Sequence, residues 1–88
     1  MRITFKLYAM LSDHLPQEYG GHKRQGNALT LDIEEGTTIT ALVEQFNLPE
    51  KWVHLVLING VYIQPEDRAV RPLVDGEVLA IWPPVAGG

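Results

Sequence analysis

One clean helical stripe limits what this chain can become. Ile39, Leu42, Val43 and Phe46 recur at i, i+3, i+4 and i+7, the spacing of a single face of an α-helix. Thr38 stands before the stripe as an N-cap, its hydroxyl able to accept from the free amides of the first turn. The Asn47-Leu48-Pro49 stretch stops it. A helix of about two turns is unstable alone in water, so its stripe must pack on something.

Alternating segments on either side supply the partner. Across residues 2–8, Ile3, Phe5 and Leu7 point one way, and Arg2, Thr4, Lys6 and Tyr8 the other. Residues 28–34 repeat the pattern, with Leu29, Leu31 and Ile33 inward. Leu11 and Leu15 are spaced i, i+4, which predicts a short helix ending before Pro16. Residues 16–27 are polar, with Gly20, Gly21 and Gly26, and read as a mobile loop with a basic tip at His22-Lys23-Arg24. The two alternating segments then form a hairpin with this loop as an enlarged turn.

After the helix, residues 53–58 are nearly all apolar, and Asn59-Gly60 separates them from Val61, Tyr62 and Ile63. Asn-Gly between apolar runs signals a hairpin, because both residues tolerate positive φ. Residues 64–74 are irregular, and Asp75-Gly76 makes a turn before a last strand over residues 77–82. That strand has Leu79 and Ile81 on one face and Val78, Ala80 and Trp82 on the other. Apolar residues on both faces predict a central strand. The order is strand, strand, helix, strand, short strand, strand. The fold class is α+β: a mixed sheet of about five strands with one main helix on one face.

At 88 residues the chain is one domain and has no room for a deep substrate cavity. It lacks cysteine, which excludes thiolate, disulfide and cysteine-ligated metal chemistry on this chain. Net charge is −4, and residues 27–88 hold Lys51, Arg68 and Arg71 against nine acids. That balance argues against nucleic acid, which needs clustered cations. It suits docking on a basic protein surface, and equally a plain solvated acidic face. No targeting signal and no apolar run near the ~18–20 residues of a membrane span are present, so the expected location is cytoplasmic, with no membrane partner.

An ordinary active site is not visible. Ser12, Asp13 and His14 name the members of a triad, but adjacent side chains point apart, whereas a triad converges from separate positions. His14, His22 and His54 show no metal-ligand spacing, so neither metal nor cofactor is expected. His54 reads as a strand residue near the surface, and Gly20-Gly21 as flexibility rather than a phosphate loop.

What remains is the end of the chain. Pro83 and Pro84 cannot donate to a sheet ladder, so they end the last strand. The expected division is a domain over residues 1–82 and a flexible tail over residues 83–88. Val85, Ala86, Gly87 and Gly88 carry no charged side chain, and the last two carry none at all. Such a tip can pass through a narrow channel. Its carboxylate becomes a useful electrophile once activated, for instance as an acyl-adenylate, and neither activation nor transfer needs a catalytic residue on this chain. The bland alternative is a frayed end that finishes in glycine.

With these residues in view, the sequence resembles the MoaD/ThiS sulfur-carrier family, whose members have the ubiquitin-like β-grasp fold. The resemblance rests on the alternating first strand, Glu35-Gly36-Thr37-Thr38-Ile39 leading into the helix, Ile58-Asn59-Gly60, Asp75-Gly76-Glu77-Val78, and Pro83-Pro84-Val85-Ala86-Gly87-Gly88. The last of these is the specific part. The double proline looks closer to the small subunit of molybdopterin synthase than to thiamine carriers, which are usually shorter. The resemblance implies a non-enzymatic carrier. An ATP-dependent adenylating enzyme activates the Gly88 carboxylate, a sulfur donor protein converts it to a thiocarboxylate, and the large subunit of molybdopterin synthase takes the sulfur. Carriers for thiamine or tungsten-linked pathways, or a ubiquitin-like modifier joined to lysines, are the alternatives. Two features depart from the family pattern: the length of residues 16–27, and Trp82 where smaller residues are common. Trp82 fits an anchor for a partner, and it fits a residue packed within its own domain.

Overall fold

The computed structural model describes residues 1–84. Its main sheet comprises β1 (Arg2–Leu7), β4 (Ala28–Asp32), β5 (Leu55–Ile58), β6 (Val61–Tyr62) and β7 (Val78–Trp82). They lie in the order β4-β1-β7-β5-β6. β1 and β7 are parallel, and the other pairings in this sheet are antiparallel. β7 is central, as its two apolar faces require. The helix α1 (Ile39–Gln45) covers one face. This is a ubiquitin-like β-grasp.

Alternation decides which side chains meet the helix. Ile3, Phe5 and Leu7 of β1, Leu29 and Leu31 of β4, Val56 and Ile58 of β5, and Leu79 and Ile81 of β7 are all buried on that side. Ile39 and Leu42 of α1 are fully buried against them, and each contributes ~1.5–3 kcal/mol by leaving water. Phe46 adds a ring 5.2 Å from that of Phe5. The helix begins at Thr38, whose Oγ1 accepts from the Ala41 N–H at 3.2 Å. It ends where Asn47 adopts φ 57°, with Asn47 N–H donating to the Glu44 carbonyl and Leu48 N–H to the Val43 carbonyl. That pair of bonds closes orphan carbonyls of the last turn.

The Asn59-Gly60 hairpin forms as its residues predict, with φ of 50° and 81°, the signs a type I′ turn needs. Residues 9–14 form a 3₁₀ helix rather than an α-helix. Ala9 is left-handed at φ 52°, and the six-residue segment then tucks in Leu11, with Leu15 buried just after it. The fourth strand stops at Asp32, two residues earlier than the alternation suggests.

Residues 16–27 depart most from expectation. They are not a mobile loop with a basic tip. β2 (Glu18–Tyr19) and β3 (His22–Lys23) pair as a second, two-stranded sheet. Gly20 and Gly21, at φ 58° and 83°, are the turn between them, so they shape a hairpin. Arg24 points inward: its guanidinium donates to the carbonyls of Ser12, Leu15 and Gly26 at 2.9, 2.8 and 2.6 Å. His22 Nε2 lies 2.8 Å from Asp32 Oδ2, and the Tyr19 ring packs 5.1 Å from Phe46. Local polarity hid this, because most of the contacts that order the segment are made with residues outside it.

The irregular stretch before β7 is held by Glu77, the one buried charged side chain among the described residues. Its carboxylate accepts from both terminal nitrogens of Arg71, at 2.8 and 3.4 Å, and from the Val74 N–H at 2.7 Å. The Arg71 bonds, helped by the Val74 amide and opposed by burial, hold the Glu77 pKa below the usual carboxylate value. A depressed folded pKa means stability that is present above the unfolded value of ~4.3 and is lost as pH falls through the folded value. Glu77→Gln keeps the shape and removes the charge. In urea titrations it lowers stability at neutral pH by about 1–2 kcal/mol, and the gap to wild type closes as the pH is taken below ~4.

Candidate functional site

The end of β7 is built to leave the domain at one fixed place. Pairing persists on both flanks up to the last strand residue. The Tyr8 N–H donates to the Ile81 carbonyl at 3.1 Å, and the His54 N–H donates to the Trp82 carbonyl at 3.1 Å. Pro83 has no N–H to continue the ladder, yet its ring is buried, and Pro84 is the first exposed residue beyond it. Packing therefore reaches one residue past the strand. Val85, Ala86, Gly87 and Gly88, expected as the reactive tip, lie outside the described residues.

Trp82 is half-buried on the sheet face that α1 does not cover. The parallel register puts Leu7 beside Ile81, so Tyr8 falls beside Trp82. Their rings stack with centroids 3.9 Å apart and planes 9° from parallel. Tyr8 was not among the residues the sequence singled out. Its partner lies at the far end of the chain, so no local spacing could have shown the stack.

The same open face divides by chemistry. On β5 and β7, Leu55 sits opposite Trp82 and Leu57 opposite Ala80, an apolar strip that runs to the root of the tail. On β1 and β4 the face carries Arg2, Thr4, Lys6, Thr30 and Asp32. Asp32 is exposed and accepts from Arg2 Nε at 2.9 Å and pairs with His22 at 2.8 Å. The Arg2 bond first, then the His22 bond, lowers its pKa below the usual carboxylate value.

On the helix side a groove of about 780 Å³ runs between α1 and the β5–β6 edge, with Ile39, Val43, Leu48 and Val53 among its walls. Arg68 borders it, but its guanidinium is spent on the carbonyls of Ile63, Val53 and His54 at 3.1–3.4 Å. No side chains converge there as acid, base and nucleophile. Ser12 donates its hydroxyl to the Ala9 carbonyl at 2.8 Å, an ordinary turn contact rather than part of a triad. Among the described residues no group of three or more His, Cys, Asp or Glu side chains could hold a metal ion. No described helix is long and apolar enough to cross a membrane.

A β-grasp domain whose central strand runs directly into the C-terminal segment is the architecture that ubiquitin-like carriers and modifiers share. The ThiS family model matches residues 18–88, and the chain belongs to the ThiS family. Small carriers of this kind are generally non-catalytic, and the family implies an E1-like activating enzyme and an acceptor enzyme as partners. The backbone is similar to that in the crystal structure of SAMP1 from Haloferax volcanii, with a TM-score of 0.64 and 22% identity over the whole of both chains. At that identity the likeness speaks for the fold. Among curated proteins none matches this sequence.

The turn that follows Tyr8 stores strain where the tail is rooted. A left-handed alanine costs ~1–2 kcal/mol, partly offset in a glycine by the greater freedom of the unfolded chain. Ala9→Gly, at φ 52°, raises stability by up to about 1 kcal/mol in chemical denaturation, and a β-branched residue at this position lowers it.

Proposed function

We propose that this protein is a sulfur carrier for molybdopterin synthesis, working through the carboxylate of Gly88. The observation that supports the carrier role is the family match, and the molybdopterin step rests on the resemblance carried by Pro83-Pro84. The match extends through residue 88 and so includes Pro83-Pro84-Val85-Ala86-Gly87-Gly88. The anchored end of β7 supports it, because a slim apolar tail rooted at one point suits insertion into a partner's channel.

The chemistry is activation followed by displacement. A carboxylate oxygen of Gly88 attacks the α-phosphorus of ATP on the adenylating enzyme, and pyrophosphate leaves. A hydrosulfide equivalent from the donor protein attacks the acyl carbon. The C–S bond forms as the acyl–phosphate C–O bond breaks, and AMP leaves. The resulting thiocarboxylate enters the large subunit of molybdopterin synthase, which uses the sulfur to build the dithiolene. Thiamine and tungsten-linked pathways use the same tail chemistry. Pro83 and Pro84 favour the molybdopterin partner through the family resemblance.

In this proposal Val85 and Ala86 make apolar contacts inside the partner, and Gly87 leaves the channel free of side chains. Trp82 and the Leu55–Leu57 strip rest on the partner's surface around the channel mouth. A second reading shares the activated tail: an amine in place of the sulfur nucleophile joins Gly88 to a lysine as an isopeptide. The β-grasp fold serves either outcome.

Intact-mass measurement of protein produced beside its own adenylating enzyme, ATP and sulfur donor tests the carrier reading. A population heavier by the difference between sulfur and oxygen is expected, and carboxylate alone would sink it. Thiol-resistant adducts that vanish on deleting Gly88 would select the modifier reading. Trp82→Ala is expected to weaken binding to the large subunit by ~2 kcal/mol or more. Unchanged affinity by calorimetry would confine Trp82 to packing within its own domain.

A further inference from the structure

We propose that Tyr8 is a positioning residue for the tail: by stacking on Trp82 it sets the direction in which Pro83 and Pro84 leave the domain. The inference deepens the carrier reading and rests on it.

Two hydrogen bonds and the turn that follows hold Tyr8 still. Its N–H donates to the Ile81 carbonyl at 3.1 Å, and its carbonyl accepts from the Leu11 N–H at 3.1 Å. Directly after it Ala9 turns left-handed, so the chain reverses and the ring stays at the end of β1. Against this fixed ring Trp82 lies nearly parallel at 3.9 Å. On its other flank Trp82 is tied through its carbonyl to the His54 N–H. Trp82 is thus clamped between β1 and β5 at the last rung of the sheet, and the buried Pro83 ring follows.

The clamp matters because of leverage. A strand end held only by its final hydrogen bond frays, and any rotation at Trp82 is magnified at Gly88, up to ~20 Å farther along an extended chain. Adenylation needs the carboxylate in line with a phosphorus atom, and a displacement of ~1 Å can cost ~100-fold in rate. Tyr8 borders the docking surface, but Leu55, Leu57 and Trp82, which make that surface, all remain in Tyr8→Ala, so loss of the clamp should slow the chemical step more than it weakens docking. Aromatic area does the positioning, and the phenol hydroxyl is dispensable.

The test uses the full chain with its adenylating enzyme and ATP, following pyrophosphate release, for wild type, Tyr8→Phe and Tyr8→Ala. Tyr8→Ala is expected to lower kcat by about 10–100-fold with KM within about twofold. Tyr8→Phe should match wild type. Amide hydrogen exchange at His54 gives a readout independent of the enzyme: the His54–Trp82 bond should exchange about tenfold faster in Tyr8→Ala than in Tyr8→Phe, with core amides such as that of Phe5 unchanged. Wild-type kcat in Tyr8→Ala would overturn the proposal. So would a change in KM alone, or a Tyr8→Phe defect as large as that of alanine. If wild type itself releases no pyrophosphate, the carrier reading has failed rather than the clamp. The His54 exchange then still decides whether Tyr8 fixes the strand end, unchanged exchange counting against it.

Discussion

The parallel pairing of β1 with β7 is the constraint on which the rest of the molecule depends. It joins the first strand to the last, places Phe5 beside Leu79 and Leu7 beside Ile81, and buries all four against the helix. β4 and β5 then add on either side as antiparallel neighbours. Pairing the first strand with the last is the most non-local contact in this sheet, and closing it costs loop entropy before burial repays it. Its position also fixes where the chain leaves the sheet. The tail departs from the centre of the sheet, flanked on both sides by paired strands, so its root is among the best-supported points of the fold.

Irregular segments are held by arginine as well as by the apolar packing of Leu11, Leu15 and Leu73. Backbone carbonyls outside helices and sheets still need donors. Arg24 supplies them between the 3₁₀ segment and the small hairpin, Arg68 between β6 and the segment before β5, and Arg71 works through Glu77 before β7. No buried side-chain nitrogen or oxygen among the described residues is left without a partner. With Arg2 on Asp32, four of the seven basic residues are therefore engaged within the fold.

The candidate site was partly legible in the sequence. Pro83 and Pro84 announced the end of the ladder, and the two apolar faces of residues 77–82 announced a central strand beside the tail. Trp82 offered two readings, and the structure supplies part of the answer: one face of its ring is covered by Tyr8, within its own domain. What the sequence hid were contacts between distant positions. The Tyr8–Trp82 stack joins residues at opposite ends of the chain. The ordering of residues 16–27 depends on carbonyls of Ser12 and Leu15, on Asp32 and on Phe46. A stretch with few apolar residues carries no periodic signal, and its partners are not its neighbours.

By itself the sequence determined the strands of the main sheet and α1, the buried faces of β1 and β4, the Thr38 cap with the Asn47-Leu48-Pro49 stop, and the Asn59-Gly60 turn. These follow from local rules: side-chain period, hydroxyl capping and tolerance of positive φ. Family membership was also legible, because its specific motif is contiguous. Only the tertiary structure decided that Gly20-Gly21 turns a hairpin, that Arg24 faces inward, that Pro83 is buried and that Tyr8 covers Trp82. Each depends on which distant strands lie side by side. Local periodicity says which face of a strand is apolar, but burial summed over the whole core selects its neighbour.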